Sequence, residues 1–198
     1  MQTHGVSGEE HPDTIASLGN LAASYGALGD GRREAELEEQ VYEKRRRVQG
    51  DEHPDTLLSL SNLAVTYSEL GEYEKAASLL ERVCERREAA LGEDHPETLT
   101  ALANLAGVCS ELGDHVREAA AREVLYERRL RVFGAEHPDT VKTLSQLRAI
   151  YEALGEKRRL LAVLEKAYAA YRREFGLFYP RTLATERELT ALREQLGE

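Results

Sequence analysis

The sequence of 198 residues contains only two cysteines, Cys84 and Cys109, which do not make a disulfide framework. No apolar run approaches the roughly 18 residues of a membrane-spanning helix. The N-terminal Met-Gln-Thr-His-Gly-Val-Ser lacks the basic start and the apolar centre of a secretory signal. These absences predict a protein of a reducing, cytoplasmic compartment without a membrane segment.

The sequence also lacks a glycine-rich phosphate loop, a cluster of metal ligands and a nucleophile motif. We therefore expect no enzymatic activity, no cofactor and no metal, although an enzyme whose residues converge across distant segments stays an alternative. Basic residues are in the minority, with 26 Lys and Arg against 36 Asp and Glu and a formal net charge of −10. This balance disfavours nucleic acid and anionic membranes as partners.

Proline is scarce as well, and its placement organises the chain. The five prolines, each 42 residues after the last, are Pro12, Pro54, Pro96, Pro138 and Pro180. The first four lie in Gly-x-x-His-Pro-(Asp/Glu)-Thr, and the fifth copy reads Gly-Leu-Phe-Tyr-Pro-Arg-Thr. A fixed period of this length is the signature of a repeat array, which has one continuous core.

Each repeat predicts two helices, both of which end at a glycine. Proline suits the first turn of a helix, and the acidic residue after it favours the positive end of the helix dipole. An apolar stripe at helical spacing follows, formed in the first repeat by Leu18, Leu21, Ala22, Tyr25 and Leu28. Gly29 then predicts a left-handed cap, and a second helix is expected from about Arg32 to Val48.

These signals divide the chain into four complete helix pairs and a terminal half. The expected repeats are 8–49, 50–91, 92–133 and 134–175, with a half-repeat at 176–198. Residues 1–7 are a lead-in, which is either the end of a preceding repeat or a frayed start. The last helix has Glu186 and Glu188 where the other copies have leucine and an amide, so we interpret it as a capping helix. A truncation inside a longer array is the alternative.

The pattern Asn-Leu-Ala-x-x-Tyr-x-x-Leu-Gly, followed by a second amphipathic helix, resembles the tetratricopeptide repeat, whose usual period is 34 residues. The 42-residue period with its Gly-x-x-His-Pro linker is similar to the kinesin light chain variety, across residues 8–197. The resemblance implies an all-α, right-handed superhelical solenoid whose first helices line a concave groove. The sequence has no coiled-coil heptad segment to join a kinesin heavy chain, and this variety also resembles arrays attached to signalling NTPases.

The histidines of the linkers are His11, His53, His95 and His137. Equivalent positions of successive repeats are separated by two packed helices at roughly 8–10 Å each, whereas a shared metal needs ring nitrogens within about 2.1 Å. We therefore predict that each histidine holds the start of a helix. Cys84 and Cys109 are expected to be small buried hydrophobic residues.

Arginine runs recur on the second helices, for example at Arg45-Arg46-Arg47. Because glutamates are interleaved with them, we interpret these runs as a solvated face with ion pairs one helical turn apart. A basic stripe for phosphate or acidic partners is the alternative.

An amide row is the main candidate for binding, and it consists of Asn20, Asn62, Asn104 and Gln146. Each amide precedes a core leucine and lies off the apolar stripe, at a position that the resemblance assigns to the groove. An amide both donates and accepts, so the row can pair with the backbone of an extended peptide. Ser61 and Ser145 lie beside it. The alternative is that the amides join neighbouring repeats by hydrogen bonds.

Specificity is expected to come from neighbouring positions, namely Leu58, Val65, Glu69, Glu111 and Lys142. The two glutamates favour a neutral or basic segment. The basic residues of carboxylate-clamp tetratricopeptide proteins are mostly missing, with Lys142 alone in place, so an acidic tail is disfavoured. We predict a protein–protein interaction scaffold that binds an extended peptide. The alternative is a spacer or oligomerisation module of a larger signalling protein such as an NTPase, and self-association stays open.

Overall fold

The structure is a computed structural model that describes residue 8 and residues 10–197. Within that part the chain forms nine α-helices and no strand, which confirms the all-α helical repeat architecture. The helices are α1 (Pro12–Ala27), α2 (Gly31–Gln49), α3 (Pro54–Glu69), α4 (Tyr73–Leu91), α5 (Pro96–Leu112), α6 (His115–Phe133), α7 (Pro138–Leu154), α8 (Lys157–Phe175) and α9 (Pro180–Leu196). The predicted lead-in at 1–7 lies outside the described residues.

The linker histidines begin the odd-numbered helices, as predicted. In α1, α3, α5 and α7 the histidine is the N-cap, and its Nδ1 accepts from the backbone N–H of the residue after proline at 3.2–3.3 Å. This bond satisfies one of the amide groups that a helix start leaves unpaired. An Nδ1 that accepts requires the neutral ring to carry its proton on Nε2. In α9 the cap is Tyr179, whose side chain makes no capping bond.

Glycine ends the helices at an interval half as long as that of the prolines. The positive-φ glycines lie 21 residues apart, at positions 29, 50, 71, 92, 113, 134, 155, 176 and 197. Two conformations alternate. Gly113, with φ 75° and ψ 11°, is left-handed helical, whereas at Gly134, with φ 84° and ψ 173°, the chain leaves the helix in an extended direction. Side chains with a Cβ disfavour both conformations, so the predicted glycine stops are confirmed.

The chain divides into two compact units, Met1–Gly113 and Asp114–Glu198. In the first unit α1 to α5 pack in order, each helix against the next. A buried cluster lies between α3, α4 and α5 and contains Ala64, Ala76, Ala77, Leu80 and Val108. Cys84 and Cys109 are buried in this unit and form no disulfide bond, as predicted.

In the second unit α6 to α9 also pack in order. Tyr126 and Tyr151 are fully buried in its core, and α9 contributes Leu189 and Leu192. Glu186 of α9 is exposed, at a position where the earlier odd-numbered helices carry leucine. The capping role of α9, the repeat boundaries and the single continuous array stay predictions.

One arginine in three of the basic runs bonds to the next helix, so the interpretation of the runs as a solvated face is wrong for these residues. Nη1 of Arg45, Arg87 and Arg129 donates to the carbonyl oxygen of the residue after the next proline, at 2.9, 3.1 and 3.3 Å. Arg87 is only 6% exposed. These bonds tie α2, α4 and α6 to the first turn of the helix that follows each of them.

A second set of contacts recurs with the same period. Glu39 accepts from the hydroxyl of Tyr67, Glu123 accepts from the hydroxyl of Tyr151, and Glu165 accepts from Arg193 at 2.6 Å. Each glutamate lies on an even-numbered helix, and its donor lies 28 residues later on the next odd-numbered helix. Glutamates of the predicted solvated face therefore stabilise the packing of successive helices.

Candidate functional site

The predicted amide row begins in the first unit, where Asn20, Asn62 and Asn104 lie on α1, α3 and α5. All three residues are exposed. Their side-chain amides have no hydrogen-bond partner among the described residues, so they do not make the bonds between repeats that were the alternative. The amide groups are available to a ligand.

Gln146 of α7 differs from the three asparagines, because its side chain makes the bond to a neighbouring repeat that was the alternative. Its Oε1 accepts from Nη1 of Arg122 at 2.6 Å. Arg122 is 8% exposed, and its Nε donates to Oε1 of Glu118 at 2.9 Å. The second oxygen of Glu118 lies 3.1 Å from Nδ1 of His115. Because Arg122 occupies its carbonyl oxygen, Gln146 offers mainly its two N–H donors to a ligand.

Two of the asparagines border a cleft between α1 and α3, which we call the α1–α3 cleft. Its volume is about 290 Å³. It is lined by Ala16, Gly19, Asn20 and Ala23 of α1, by Glu38, Val41 and Arg45 of α2, and by Leu58, Ser59 and Asn62 of α3. The small residues of α1 leave room above the α2 side chains. The structure thus brings together three of the predicted residues: Asn20, Leu58 and Asn62.

Two charged side chains of α2 line the cleft. Nη1 of Arg45 donates to Oγ of Ser59 at 2.8 Å and to the carbonyl oxygen of Asp55 at 2.9 Å. Oε2 of Glu38 accepts from the buried hydroxyl of Thr66 at 2.7 Å. Burial raises the pKa of the Glu38 carboxyl, as do the carboxylates of Glu34 and Glu69, while the bond from Thr66 lowers it.

Glu38 and Arg45 line the cleft but are not among the peptide-binding residues that the sequence predicts. A signal for Glu38 was present, because the equivalent positions at intervals of 42 residues are Leu80, Arg122 and Leu164. Leu80 and Leu164 are buried in the core, so a carboxylate at this position needs a polar partner or a ligand.

The remaining predicted residues have mixed surroundings. The hydroxyls of Ser61 and Ser145 donate to carbonyl oxygens of their own helices, at 2.9 and 3.0 Å, so they can only accept from a ligand. Leu58 and Val65 of α3 are 48% and 46% exposed. Glu69, Glu111 and Lys142 are exposed, and none of these three lines the α1–α3 cleft.

The first unit has a further cleft, of about 480 Å³, which α2, α3 and α4 line with other residues. Among them are Tyr42, whose hydroxyl accepts from Nη2 of Arg82 at 2.7 Å, and Tyr67. Burial and the bond to Glu39 raise the pKa of Tyr67 to about 12. No predicted binding residue lines this cleft.

Two features are absent from the described residues. Within residues 10–197 and residue 8, no group of three or more His, Cys, Asp or Glu side chains could hold a metal ion. In the same part of the chain, no helix is both long enough and apolar enough to cross a membrane.

Comparison with known proteins agrees with this architecture. The family model of the tetratricopeptide repeat matches residues 14–55 and 56–97, two units of the observed 42-residue period. No curated protein matches the sequence. Solved structures do: the putative kinesin light chain nearly identical TPR-like repeats of Podosopora anserina are 27% identical over 95% of this chain and 89% of that chain, with a TM-score of 0.64.

Two further solved structures are similar. A single-substitution form of the same Podosopora anserina repeats is also 27% identical with a TM-score of 0.64, over 94% of this chain and 88% of that chain. BtubC (BKLC) from P. vanneervenii is 21% identical with a TM-score of 0.60, over 93% of this chain and 74% of that chain, a likeness of fold alone.

The two matched repeats and the ordered helix pairs define a tetratricopeptide repeat protein, a class of protein–protein interaction scaffolds. In its linker pattern and in its structure, the chain is similar to tetratricopeptide repeat proteins of the kinesin light chain-like kind. The likeness is to a family of scaffolds rather than of enzymes.

Proposed function

We propose that this scaffold binds an extended peptide segment of a partner protein along its odd-numbered helices. One observation carries the proposal: Asn20 and Asn62 are exposed, have no partner among the described residues and border the same cleft. An amide can accept from a peptide N–H and donate to a peptide C=O, so two such groups in neighbouring repeats can hold an extended backbone. Asn104 continues the row on α5, and Gln146 of α7 would act mainly as a donor.

Contacts with a peptide backbone fix its register but read little of its sequence. The proposed sources of specificity are the residues beside the amides, which are Leu58, Val65, Glu69, Glu111 and Lys142. Leu58 and Val65 support this role because they are half exposed on α3 and can cover an apolar side chain of the peptide. Glu69 and Glu111 favour neutral or basic segments over acidic ones. We propose that the chain has no catalytic activity of its own.

Replacement of two amides tests the binding mode. Each lost hydrogen bond should cost about 0.5–1.5 kcal/mol, so Asn62→Ala with Asn104→Ala should weaken peptide binding by roughly tenfold. A peptide array supplies the ligands, and fluorescence anisotropy measures their affinity. The matched control is Gln40→Ala with Gln49→Ala, which removes two exposed amides of α2 away from the cleft. Unchanged binding together with a large fall in melting temperature would show that the row is structural.

Light scattering at several concentrations separates the scaffold from the alternative of a spacer or oligomerisation module. A monomeric mass at all concentrations, together with peptide binding, is the expected result. A mass that rises with concentration, in a protein that binds no peptide of the array, would favour the spacer.

A further inference from the structure

The α1–α3 cleft is large enough to hold one long side chain. Its volume of about 290 Å³ lies at the lower limit of small-molecule sites, which enclose about 300–1,000 Å³. Leu58, Val41 and Ala23 form apolar parts of its lining. Such walls suit the aliphatic stem of a lysine or arginine, whose charged end then needs a polar partner.

Glu38 offers that partner. Its Oε2 accepts from Thr66, while its Oε1 has no donor among the described residues. Glu34 and Glu69 lie close enough to disfavour its negative charge further. Arg45 lines the same cleft but forms no ion pair with Glu38 in the described part of the chain, because its Nη1 is engaged by Ser59 and the Asp55 carbonyl. The carboxylates of Glu34, Glu38 and Glu69 outnumber the guanidinium of Arg45, so the charge around Glu38 is negative on balance.

We infer that the α1–α3 cleft accepts a lysine or arginine side chain of the partner segment, with Glu38 as its counter-ion and the amides of Asn20 and Asn62 beside the peptide backbone. The inference rests on the proposed peptide-binding function and names the residue class that the cleft reads. Burial and the neighbouring carboxylates, which raise the pKa of Glu38, agree with it, because a bound cation relieves both effects.

The residues equivalent to Glu38 in the later repeats restrict this cation site to the first repeat. Position 38 corresponds to Leu80 in the second repeat and to Arg122 in the third. Leu80 is 1% exposed and carries no charge, and Arg122 is positive and bound to Glu118. A partner segment should therefore need one basic residue, at the place that reaches α1 and α3.

The test uses a positional-scanning array of short acetylated and amidated peptides against the whole chain. The best binder that contains lysine is then compared with twins in which arginine or glutamine replaces that lysine. Wild type should bind the lysine and arginine forms at least about tenfold more tightly than the glutamine form, because hydrogen bonds to charged groups contribute about 1.5–3 kcal/mol. Glu38→Gln should remove this preference. The matched control Glu43→Gln, which neutralises a carboxylate of the same helix outside the cleft, should retain it.

The outcomes separate this inference from the proposed function. If no peptide binds wild type, the proposed function fails and the inference fails with it. If peptides bind but the lysine and glutamine twins do not differ, or if the preference survives in Glu38→Gln, only the inference is wrong.

Glu38→Gln should fold, because glutamine can still accept from Thr66. A second variant tests the cleft independently in case Glu38→Gln is unfolded. Gly19→Leu fills the cleft from α1, where an added Cβ would meet nothing within 4 Å, and leucine favours a helix over glycine. It should abolish the preference for the lysine peptide while the melting temperature is maintained. Retained preference in this folded variant would also contradict the inference.

Discussion

At the scale of single residues, the linker histidines show how one side chain decides where a helix begins. His95 supplies an acceptor to the N–H of Glu97 at 3.2 Å, and Pro96 supplies a helical φ without an N–H of its own. The start of a helix therefore explains why histidine and proline recur together in the linker of each of the first four repeats. Metal chemistry is not needed to account for a histidine at this position.

The cap of α5 leads to a prediction on stability. Loss of an N-cap acceptor typically costs about 1 kcal/mol, so His95→Ala should lower the free energy of unfolding by about that amount. His95→Asn should stay close to wild type, because asparagine is a favoured N-cap residue. Urea denaturation followed by circular dichroism measures both variants. An asparagine variant as unstable as the alanine variant would show that the ring, rather than its acceptor, stabilises this helix start.

The residue scale also shows what local patterns cannot predict. The partner of Glu38 is Thr66, 28 residues later on another helix, and the partner of Gln146 is Arg122, 24 residues earlier. Such pairs depend on how helices pack rather than on spacing within one helix. The exposure of Asn20, Asn62 and Asn104 could be predicted because it follows from their position off the apolar stripe.

At the scale of helices, the proline, glycine and histidine positions were sufficient to predict every element that the structure describes. The second helices were harder to interpret, because their charged residues alternate with apolar ones and suggested only solvation. Packing joins one arginine from three of the runs to the next helix, and Arg87 is buried there. Whether a given charge faces solvent or the next helix depends on the angle between helices, which the repeat period does not report.

Arg87 provides a test at this scale. Arg87→Ala removes the bond to the Glu97 carbonyl, the ion pair with Glu97 at 3.4 Å and the packing of the aliphatic stem. The free energy of unfolding should fall by about 1–3 kcal/mol. Arg86→Ala, at a neighbouring exposed position, should change it by less than about 0.5 kcal/mol. Equal effects of the two substitutions in urea denaturation would contradict a structural role for Arg87.

At the scale of the whole molecule, stability should be a sum of terms from repeats and from their interfaces. Deletion of residues 50–91 removes one full period and joins equivalent positions of the linker. The shorter protein should remain helical and unfold cooperatively. Deletion of residues 71–91 alone removes one helix and places two odd-numbered helices in succession, so it should be much less stable. A full-period deletion that is unfolded by circular dichroism would contradict the repeat account.

We propose that the amides of the odd-numbered helices are the groups that hold a partner peptide. The chain has only three asparagines, so their side-chain amide signals in a ¹⁵N-correlated NMR spectrum can be assigned by single substitution to alanine. Titration with the best peptide of the array should shift the side-chain amide signals of Asn20 and Asn62. The backbone amide signals of Tyr42 and Tyr67, which line the other cleft, should not shift. If the peptide shifts the backbone amide signals of Tyr42 and Tyr67 but not the side-chain amide signals of Asn20 and Asn62, the proposal that the amide row holds the peptide is wrong.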